Sequence, residues 1–191
     1  GEPTAATLAE PVAPCVLKAD GLAAGKGVVV CRTEAEVATG LVELDGLAGP
    51  LVVEELLEGP EVSVFALCDG VNAVALPAAQ DFKRAEDGDR GPNTGGMGSF
   101  APVPGFGVDE VEELIDLTCR PVLAELAARG RPFVGTLFAG LMLTPAGPRV
   151  LEYNCRFGDP ETQSLLPILD GDLLATLAGT TAGDVGSAPL V

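Results

Sequence analysis

The feature that most limits the fold is a glycine-rich loop placed between two strand patterns. The segments CVLKA (15–19) and GVVVC (27–31) are short, apolar and β-branched, and DGLAAGKG lies between them. The residues after Thr33 have the spacing of a short helix that ends near Leu44. This order excludes a P-loop, which requires Ser or Thr after Lys26 and then a helix.

The remainder of the chain contains two groups of strand patterns, each followed by a helix pattern. Strands are predicted over 51–56, 62–70, 71–76, 137–143 and 149–154, with a hairpin turn at Asp69-Gly70. One helix is predicted from Asp109, which forms a capping box with Glu112, to Gly130, and another from about Pro160 to Leu177. We therefore expect an α+β fold with mixed or antiparallel sheets, in two lobes with a cleft between them.

Composition suggests where the lobes begin and end. Residues 1–13 carry no sustained period and predict a linker or a cut edge, and 179–191 predict a flexible tail. We predict a small lobe over 14–60 and a large lobe over 61–178. Within the large lobe, 77–107 is dense in Gly, Pro, Asp and Asn and predicts a long functional loop.

Charge and residue usage exclude several classes of function. The 191 residues include 11 Lys and Arg against 28 Asp and Glu, so the net charge is −17. Without a basic tract, we expect no binding to nucleic acid or to an anionic membrane. The absence of histidine excludes a His general base, Ser-His-Asp and Cys-His sites, and imidazole zinc sites. Chemistry must therefore use carboxylates, Lys, Arg, backbone amides or a hard metal.

The cysteines and the amino-terminal segment predict a cytoplasmic protein. The five cysteines are an odd number, widely spaced and without a C-x-x-C pair, which favours buried, reduced thiols. The segment GEPTAATLAEP lacks the pattern of a secretory signal. No apolar run approaches the roughly 20 residues of a membrane span.

The glycine-rich loop is a candidate phosphate site. Small residues such as Gly25 and Gly27 let backbone N–H groups approach an anion, and Lys18 and Lys26 add positive charge. The alternative is an ordinary tight hairpin with solvated lysines.

Acidic residues at the end of the next strand are a second candidate. Glu54 and Glu55 end the strand, and Glu58 and Glu61 follow in LLEGPE. A carboxylate at a strand edge can accept hydrogen bonds from an adenine amino group or from ribose hydroxyls. The alternative is a solvated acidic turn.

The run EYNCRFGDPE is a candidate metal and phosphoryl site. On a strand, Glu152, Asn154 and Arg156 point to one face, and oxygen ligands of this kind suit Mg²⁺. Arg156 then lies where a planar guanidinium stabilises a phosphoryl group. The alternative is a buried Glu-Arg pair that closes the strand.

The glycine-rich segment QDFKRAEDGDRGPNTGGMGSF (80–100) is the candidate substrate loop. Its Lys83, Asn93 and Thr94 lie close in sequence to TGGMG and suit a small anionic or zwitterionic substrate. The alternative is a plain surface loop.

These segments together resemble the glycinamide ribonucleotide synthetase (phosphoribosylamine-glycine ligase) family of ATP-grasp enzymes. LKADGLAAGKGVVV resembles the family's ATP loop, VVEELLEGPEVSVFALCDG its hinge, QDFKR and GPNTGGMG its central loop, and RFGDPETQ its most diagnostic signature. The resemblance runs from about Pro14 to Leu174. It implies an ATP-grasp fold that closes on Mg-ATP, and ATP-dependent ligation of glycine to 5-phosphoribosylamine in purine biosynthesis.

The resemblance also implies a role for each matching residue. The nucleotide residues would be Lys18, Gly25, Lys26 and Gly27 at the phosphates, Glu54, Glu55 and Leu57 at the adenine, and Glu61 at the ribose. Glu152 and Asn154 would hold Mg²⁺ or Mn²⁺, and Arg156 and Lys26 would be catalytic. The substrate candidates are Asp81, Lys83, Asn93, Thr94, Gly95 and Asp159.

Members of this family are much longer than 191 residues, with a lobe before the matching region and a lobe after it. We therefore expect this chain to be the ATP-grasp portion of such a ligase, with ATP, glycine, phosphoribosylamine and flanking lobes as partners. The alternative is a fragment that binds Mg-ATP without turnover. A ligase of another ATP-grasp family is disfavoured by RFGDPETQ.

Overall fold

The computed structural model describes residues 10–21, 27–47, 49–88, 90–187 and 190. Contacts within the chain divide it into two units, Gly1–Leu57 and Glu58–Val191. Helices and antiparallel sheets make up the described residues, which confirms the α+β class. In the part of the chain that the structure describes, no helix combines the length and the apolar character that crossing a membrane requires.

The small unit is a three-stranded antiparallel sheet with a helix on one face. Its elements are β1 (Cys15–Ala19), β2 (Val28–Cys31), α1 (Glu34–Leu44) and β3 (Leu51–Glu55), and the strand order is β2-β1-β3. Thr33 caps α1, because its side chain accepts from the Glu36 N–H at 3.3 Å while the Glu36 carboxylate accepts from the Thr33 N–H at 2.8 Å. This capping box satisfies N–H groups that the helix leaves unpaired, and the predicted helix is confirmed.

The core of the small unit forms between α1 and the sheet. A Cβ at Gly40 of α1 would lie 3.0 Å from Val29 Cγ1, so glycine lets the helix lie close to β2. The buried apolar side chains are Cys15, Leu17, Cys31, Val37 and Leu44.

The large unit is built on a five-stranded antiparallel sheet. Its strands are β4 (Glu61–Asp69), β5 (Ala73–Asp81), β8 (Ser99–Phe100), β9 (Val134–Thr144) and β10 (Gly147–Asn154), in the order β10-β9-β4-β5-β8. A separate hairpin pairs β6 (Arg84–Glu86) with β7 (Arg90–Asn93). The helices are α2 (Val108–Ala128), α3 (Glu161–Leu165) and α4 (Leu173–Ala182), with 3₁₀ turns at Leu166–Ile168 and Val185–Ser187.

Strand β4 lies at the centre of this sheet and is buried from Val62 to Asp69. Successive side chains of a strand point to opposite faces, so one set packs against α2 and the other against α3 and α4. The first set is Val62, Val64, Ala66 and Cys68, and the second includes Phe65 and Leu67. Burial on both faces explains why this strand has an almost continuous apolar run.

The start of α2 differs from the prediction. The helix begins after Gly107, whose N–H donates to Glu110 Oε2 at 2.9 Å, and not at a capping box of Asp109 with Glu112. Glu112 instead accepts from Arg120 at 2.9 Å on the same helix. A glutamate follows three residues after Gly107 and another three residues after Asp109, and this spacing alone does not distinguish the two possible helix starts.

The predicted loop over 77–107 is largely paired backbone. It contains the end of β5 and all of β6, β7 and β8. The backbone of Phe82, which lies between β5 and β6, is hydrogen-bonded too. Its N–H donates to Gly98 O at 2.9 Å, and its carbonyl accepts from Met97 N at 2.7 Å. Glycines with positive φ, such as Gly96 and Gly98, interrupt the side-chain period on which strand prediction relies.

The carboxyl-terminal part of the chain also differs from the prediction. The helix expected over 160–177 is divided into α3 and α4, and Asp172 caps α4 by accepting from Ala175 N at 2.9 Å. Residues 179–187, assigned to a flexible tail, complete α4 and the second 3₁₀ turn, where Val185 is fully buried against the sheet. The tail was predicted from local composition, whereas a long-range contact with Asp69 fixes this segment.

Asp69 ends β4 and binds four hydrogen-bond donors. Its Oδ1 accepts from the N–H groups of Val71 at 2.9 Å and Asn72 at 2.7 Å. Its Oδ2 accepts from Asn72 Nδ2 at 3.0 Å and from Val185 N at 3.2 Å. Burial by itself would raise the pKa of Asp69, but these hydrogen bonds lower it to about 2.

We predict that Asp69→Asn lowers the free energy of unfolding at pH 7 by about 1–3 kcal/mol, because hydrogen bonds to a charged group are lost and an amide N–H₂ faces other donors. The folded pKa is depressed, so the stabilisation is present above the ordinary value of 3.8 and is lost as the pH falls towards about 2. Urea unfolding of wild type and variant between pH 7 and pH 2 measures this.

The difference in the free energy of unfolding between wild type and Asp69→Asn should shrink as the pH falls from about 4 to about 2. Asp170→Asn is the control, since Asp170 is exposed. A difference in unfolding free energy that stays constant across this pH range would show that the charge of Asp69 does not stabilise the fold.

Candidate functional site

Lys18 and Glu54 meet on the face of the small unit's sheet that is opposite α1. Leu17 faces the core under α1, so Lys18 beside it points to the opposite face. Lys18 Nζ lies 2.6 Å from Glu54 Oε2 on the neighbouring strand β3. A residue predicted to bind phosphate and a residue predicted to bind adenine are therefore adjacent.

The glycine-rich loop is described only at its ends. Ala19 N donates to Gly27 O at 2.8 Å, and β2 follows at once. The loop thus lies between two strands, as the sequence predicted. Gly25 and Lys26 lie outside the described residues.

The hinge residues follow the register of β3. Glu54 and Glu55 end the strand opposite Val16 and Cys15. Leu57, two residues past the strand, is half-buried and ends the small unit. Their predicted contacts with adenine stay predictions.

Glu61, Asp81 and Lys83 form a charged cluster at the start of β4. Lys83 Nζ lies 3.0 Å from Asp81 Oδ1 and 3.2 Å from Glu61 Oε2. The Asp81 side chain is only 7% exposed, against 37% for Glu61 and 39% for Lys83. Burial would lower the pKa of Lys83, but the two carboxylates outweigh it and hold the pKa above its ordinary value. The ammonium therefore remains charged between its two partners.

The central loop is hydrogen-bonded to the backbone carbonyl of Lys83. Thr94 donates twice to Lys83 O, from its N–H at 2.7 Å and from its hydroxyl at 2.8 Å. Gly96 N in turn donates to Thr94 Oγ1 at 3.1 Å, and the exposed Gly95 lies between them. Asn93 pairs through its backbone with Arg84. The predicted substrate residues Lys83, Asn93, Thr94 and Gly95 are therefore neighbours.

Glu152 and Asn154 lie on the face of the large sheet that is opposite α2. Tyr153 between them donates its hydroxyl to Thr118 O of α2 at 2.8 Å, so its neighbours on the strand point away from that helix. Asn154 Nδ2 donates to Glu152 Oε1 at 3.0 Å. Both predicted metal ligands are thus held side by side.

Strand register places Glu61 on the same face as this pair. Glu152 lies opposite Gly140 of β9, and Gly140 lies opposite Ser63 of β4. Glu61 is two residues before Ser63 and shares its direction. One face of the sheet therefore carries the charged cluster and the predicted metal ligands.

The oxygen donors of Glu152 and Asn154 fit a magnesium ion. Their mutual hydrogen bond uses the amide nitrogen, so the amide oxygen and a carboxylate oxygen can serve a hard cation. Over the described ranges, no three His, Cys, Asp or Glu side chains are grouped as a metal cage. Such a cage is not required, because Mg²⁺ is typically held by one or two protein groups together with nucleotide phosphates and water.

Arg156 does not share a strand face with Glu152 and Asn154, because β10 ends at Asn154. Its exposed guanidinium donates from Nη1 to Phe157 O at 2.9 Å. Glu152 is also exposed, so the alternative of a buried Glu-Arg pair is not observed. Asp159 is exposed as well, and its Oδ1 accepts from Gln163 Nε2 at 2.8 Å.

The signature segment RFGDPETQ is docked against the central loop. Ser99 Oγ donates to Pro160 O at 2.8 Å and lies 2.6 Å from Ser164 Oγ. A Cβ at Gly96 would lie 2.4 Å from Pro160 Cδ, so only glycine permits this approach. Ser99 pairs with Asp81 across β8 and β5, which places the signature segment beside the charged cluster.

The sequence-based prediction missed Glu161 and Ser63. Glu161 is only 3% exposed, and its Oε1 accepts from Ser63 Oγ at 3.1 Å. A Cβ at Gly158 would lie 2.4 Å from Glu161 Oε2, so this glycine makes room for the carboxylate. The sequence did contain a signal for this contact, because Ser63 is a polar residue inside an apolar strand pattern. A buried hydroxyl requires a hydrogen-bond partner.

The chain matches a known domain family along most of its length. Residues 2–162 match the family described as "Phosphoribosylglycinamide synthetase, ATP-grasp (A) domain". The chain is 49% identical over 185 residues to a phosphoribosylamine-glycine ligase of Caulobacter vibrioides. The aligned region covers 92% of this chain and 42% of that protein. The chain is 52% identical over 164 residues to a bifunctional purine biosynthetic protein of Schizosaccharomyces pombe, covering 83% of this chain and 21% of that protein.

Solved structures show the same fold. The crystal structure of a phosphoribosylamine-glycine ligase from Thermotoga maritima has a TM-score of 0.79 at 40% identity, and the match covers 89% of this chain and 44% of that one. A biotin carboxylase domain from Hydrogenobacter thermophilus, in complex with MgADP, has a TM-score of 0.65 at 19% identity, covering 92% of this chain and 38% of that one. This second similarity concerns the fold alone.

The fold predicted from the four motifs is thereby confirmed as ATP-grasp. The chain spans less than half the length of the phosphoribosylamine-glycine ligases it matches. The family match, the identities of about half and the shared fold agree. This chain therefore belongs to the phosphoribosylglycinamide synthetase ATP-grasp domain family.

Proposed function

We propose that this chain is the ATP-grasp portion of an enzyme that ligates glycine to 5-phosphoribosylamine and converts ATP to ADP and phosphate. The observation that carries the proposal is the polar face of the large sheet, where Glu61 with Asp81 and Lys83 lies on the same side as Glu152 and Asn154. The similar proteins named as phosphoribosylamine-glycine ligases support this choice of reaction.

The residues proposed to bind ATP fall into three sets, which contact the phosphates, the adenine and the ribose. Lys18, with Gly25, Lys26 and Gly27, binds phosphates, because the acidic chain requires local positive charge there. Glu54, Glu55 and Leu57 bind the adenine, and Glu61 binds the ribose. The contact of Lys18 with Glu54 Oε2 supports this assignment, since it fixes a carboxylate whose other oxygen can accept from an adenine amino group.

Glu152 and Asn154 would hold Mg²⁺ or Mn²⁺. When bound, the ion offsets the negative charge of the phosphates during phosphoryl transfer. Arg156 follows these ligands closely in the chain and its guanidinium is exposed, which supports a role for its planar fork at the transferred group. Lys26 adds a second positive charge to the transferred group.

In the proposed reaction the glycine carboxylate attacks the γ-phosphate and ADP leaves. The amine of phosphoribosylamine then attacks the carbonyl of glycyl phosphate, and phosphate leaves as the amide forms. The substrate candidates around the central loop are Asp81, Lys83, Asn93, Thr94, Gly95 and Asp159. Both steps depend mainly on positioning and charge neutralisation, which suits a chain without histidine.

The proposed reaction sets the expected partners and compartment. The partners are ATP, glycine and phosphoribosylamine, together with flanking lobes of a longer chain. Four of the five free cysteines are buried and one is exposed, which supports a reducing compartment such as the cytoplasm.

We predict that the chain binds ATP in a magnesium-dependent manner and that Glu152→Ala with Asn154→Ala weakens Mg-ATP binding at least about tenfold. Charge-assisted contacts are worth about 1.5–3 kcal/mol each, which corresponds to tenfold or more in affinity. Isothermal titration calorimetry with and without magnesium measures both affinities. The rise in Tm on addition of Mg-ATP should shrink in parallel.

The control for this experiment is Glu113→Ala, which removes an exposed carboxylate of α2. It should leave Mg-ATP affinity unchanged. Equal affinity in the wild type and in the double variant would refute the metal assignment.

We predict that ADP release by the chain depends on glycine and that Arg156→Lys slows it at least about tenfold, or about 1.4 kcal/mol in the barrier. Lysine keeps the charge but loses the planar fork. A coupled ADP assay gives the rate, Tm gives the state of the fold, and Arg131→Lys is the control because Arg131 is exposed.

Chromatography after addition of phosphoribosylamine tests for glycinamide ribonucleotide. Product formation supports the ligase, whereas Mg-ATP binding without glycine-dependent ADP release would favour the alternative of a binding fragment without turnover. A fall in Tm with unchanged turnover per folded molecule would make Arg156 a structural residue.

A further inference from the structure

We propose that Lys83 is a positioning residue that holds the Glu61 carboxylate where it can accept hydrogen bonds from the ribose hydroxyls of the nucleotide. This inference rests on the proposed function, which assigns Glu61 to the ribose. Lys83 acts through Glu61 and not by contact with the nucleotide. The sequence had placed Lys83 only among the substrate candidates.

The ammonium of Lys83 is held between two carboxylates with different surroundings. Asp81 is 7% exposed and lies 3.0 Å away, so it serves as a fixed, nearly buried anchor. Glu61 is 37% exposed and lies 3.2 Å away, so its carboxylate faces solvent on one side. The ion pair with the ammonium is made through Oε2 of Glu61, and Oε1 can accept from a sugar hydroxyl.

The backbone on both sides of this contact is fixed. Lys83 O accepts two hydrogen bonds from Thr94, at 2.7 and 2.8 Å. Before Glu61, Pro60 O accepts from Leu143 N at 2.9 Å. A Cβ at Gly59 would lie 2.1 Å from Leu143 O, so the chain passes against β9 at a distance that only glycine tolerates. Side-chain rotation is therefore the main freedom left to Glu61.

Stability does not account for the contact with Glu61. Ion pairs between side chains that are more than a third exposed contribute little to folding, because water screens them. Asp81 alone already neutralises Lys83. An immobilised carboxylate, however, binds a hydroxyl without losing rotamer freedom at the moment of binding. The bridge therefore acts on affinity for the ribose more than on the fold.

The experiment compares Mg-ATP with Mg-2′,3′-dideoxy-ATP, which lacks both ribose hydroxyls. Calorimetry gives the ratio of their dissociation constants for the wild type, Lys83→Met and Lys83→Arg. We expect the wild type to prefer ATP at least about tenfold, since a hydrogen bond to a charged group is lost with the dideoxy nucleotide. Lys83→Met should lose most of this preference by weakening ATP, with dideoxy affinity within about twofold of wild type. Lys83→Arg should restore it.

Two further single variants and one double variant separate positioning from a general effect of charge. Arg84→Met removes a neighbouring cation whose Nη1 donates to Gly91 O within the β6-β7 hairpin, and it should keep the wild-type ratio. Glu61→Gln should lower the ratio as Lys83→Met does. Adding Lys83→Met to Glu61→Gln should then change nothing more. Lys83→Gln replaces Lys83→Met if the latter melts below the assay temperature.

An unchanged ratio in Lys83→Met, equal weakening of both nucleotides, or additive losses in the double variant would overturn the inference while leaving Mg-ATP binding intact. Failure of the wild type to bind either nucleotide would overturn the proposed function and the inference with it.

Discussion

The large unit depends on a central strand that is buried on both faces and carries a polar group near each end. Near the start of β4, Ser63 donates to the buried Glu161 of α3 at 3.1 Å. At its end, Asp69 accepts from Val185 N at 3.2 Å. Between these points Phe65 and Leu67 pack against the helices, but apolar packing is non-directional and does not by itself set the position of the helices. The two hydrogen bonds are directional, and they fix where the helices lie along the strand.

This attachment also orders the candidate site. Glu161 belongs to RFGDPETQ, so the hydrogen bond from Ser63 holds the signature segment against the sheet face that carries Glu61 and Glu152. Ser99 holds the same segment to the central loop at Pro160. One buried and one part-buried hydrogen bond thus hold the signature segment beside the groups predicted to bind the metal, the ribose and the substrates, while the side chains of Glu61 and Glu152 remain partly open to solvent.

Local patterns predicted the elements whose causes are local. The helix after Thr33 and the strand after the glycine-rich loop depend on residues close in sequence, and both are present. The hairpin turn after β4 is also present, but it is centred on Gly70 and Val71, because Asp69 N donates to Asn72 O at 3.2 Å. The predicted cap of α2 and the single helix over 160–177 were wrong. Glu110 and Glu112 both have the spacing of a capping partner, and Asp172 starts a new helix within the second segment. Motif resemblance identified the family and the ATP-grasp fold, but the roles of individual site residues stay predictions.

The sequence by itself determined the inventory of the site: carboxylates, three lysines, one arginine and glycine loops, with no histidine to serve as a base. Only the tertiary structure decided which of these groups meet. The pairing of Ser63 with Glu161 spans 98 residues, and that of Asp69 with Val185 spans 116. Lys83 joins Glu61 to Asp81 because antiparallel pairing brings the start of β4 beside the end of β5. Side-chain periodicity reports which face a residue occupies, but register and layer packing, which are set by distant parts of the chain, decide its neighbours.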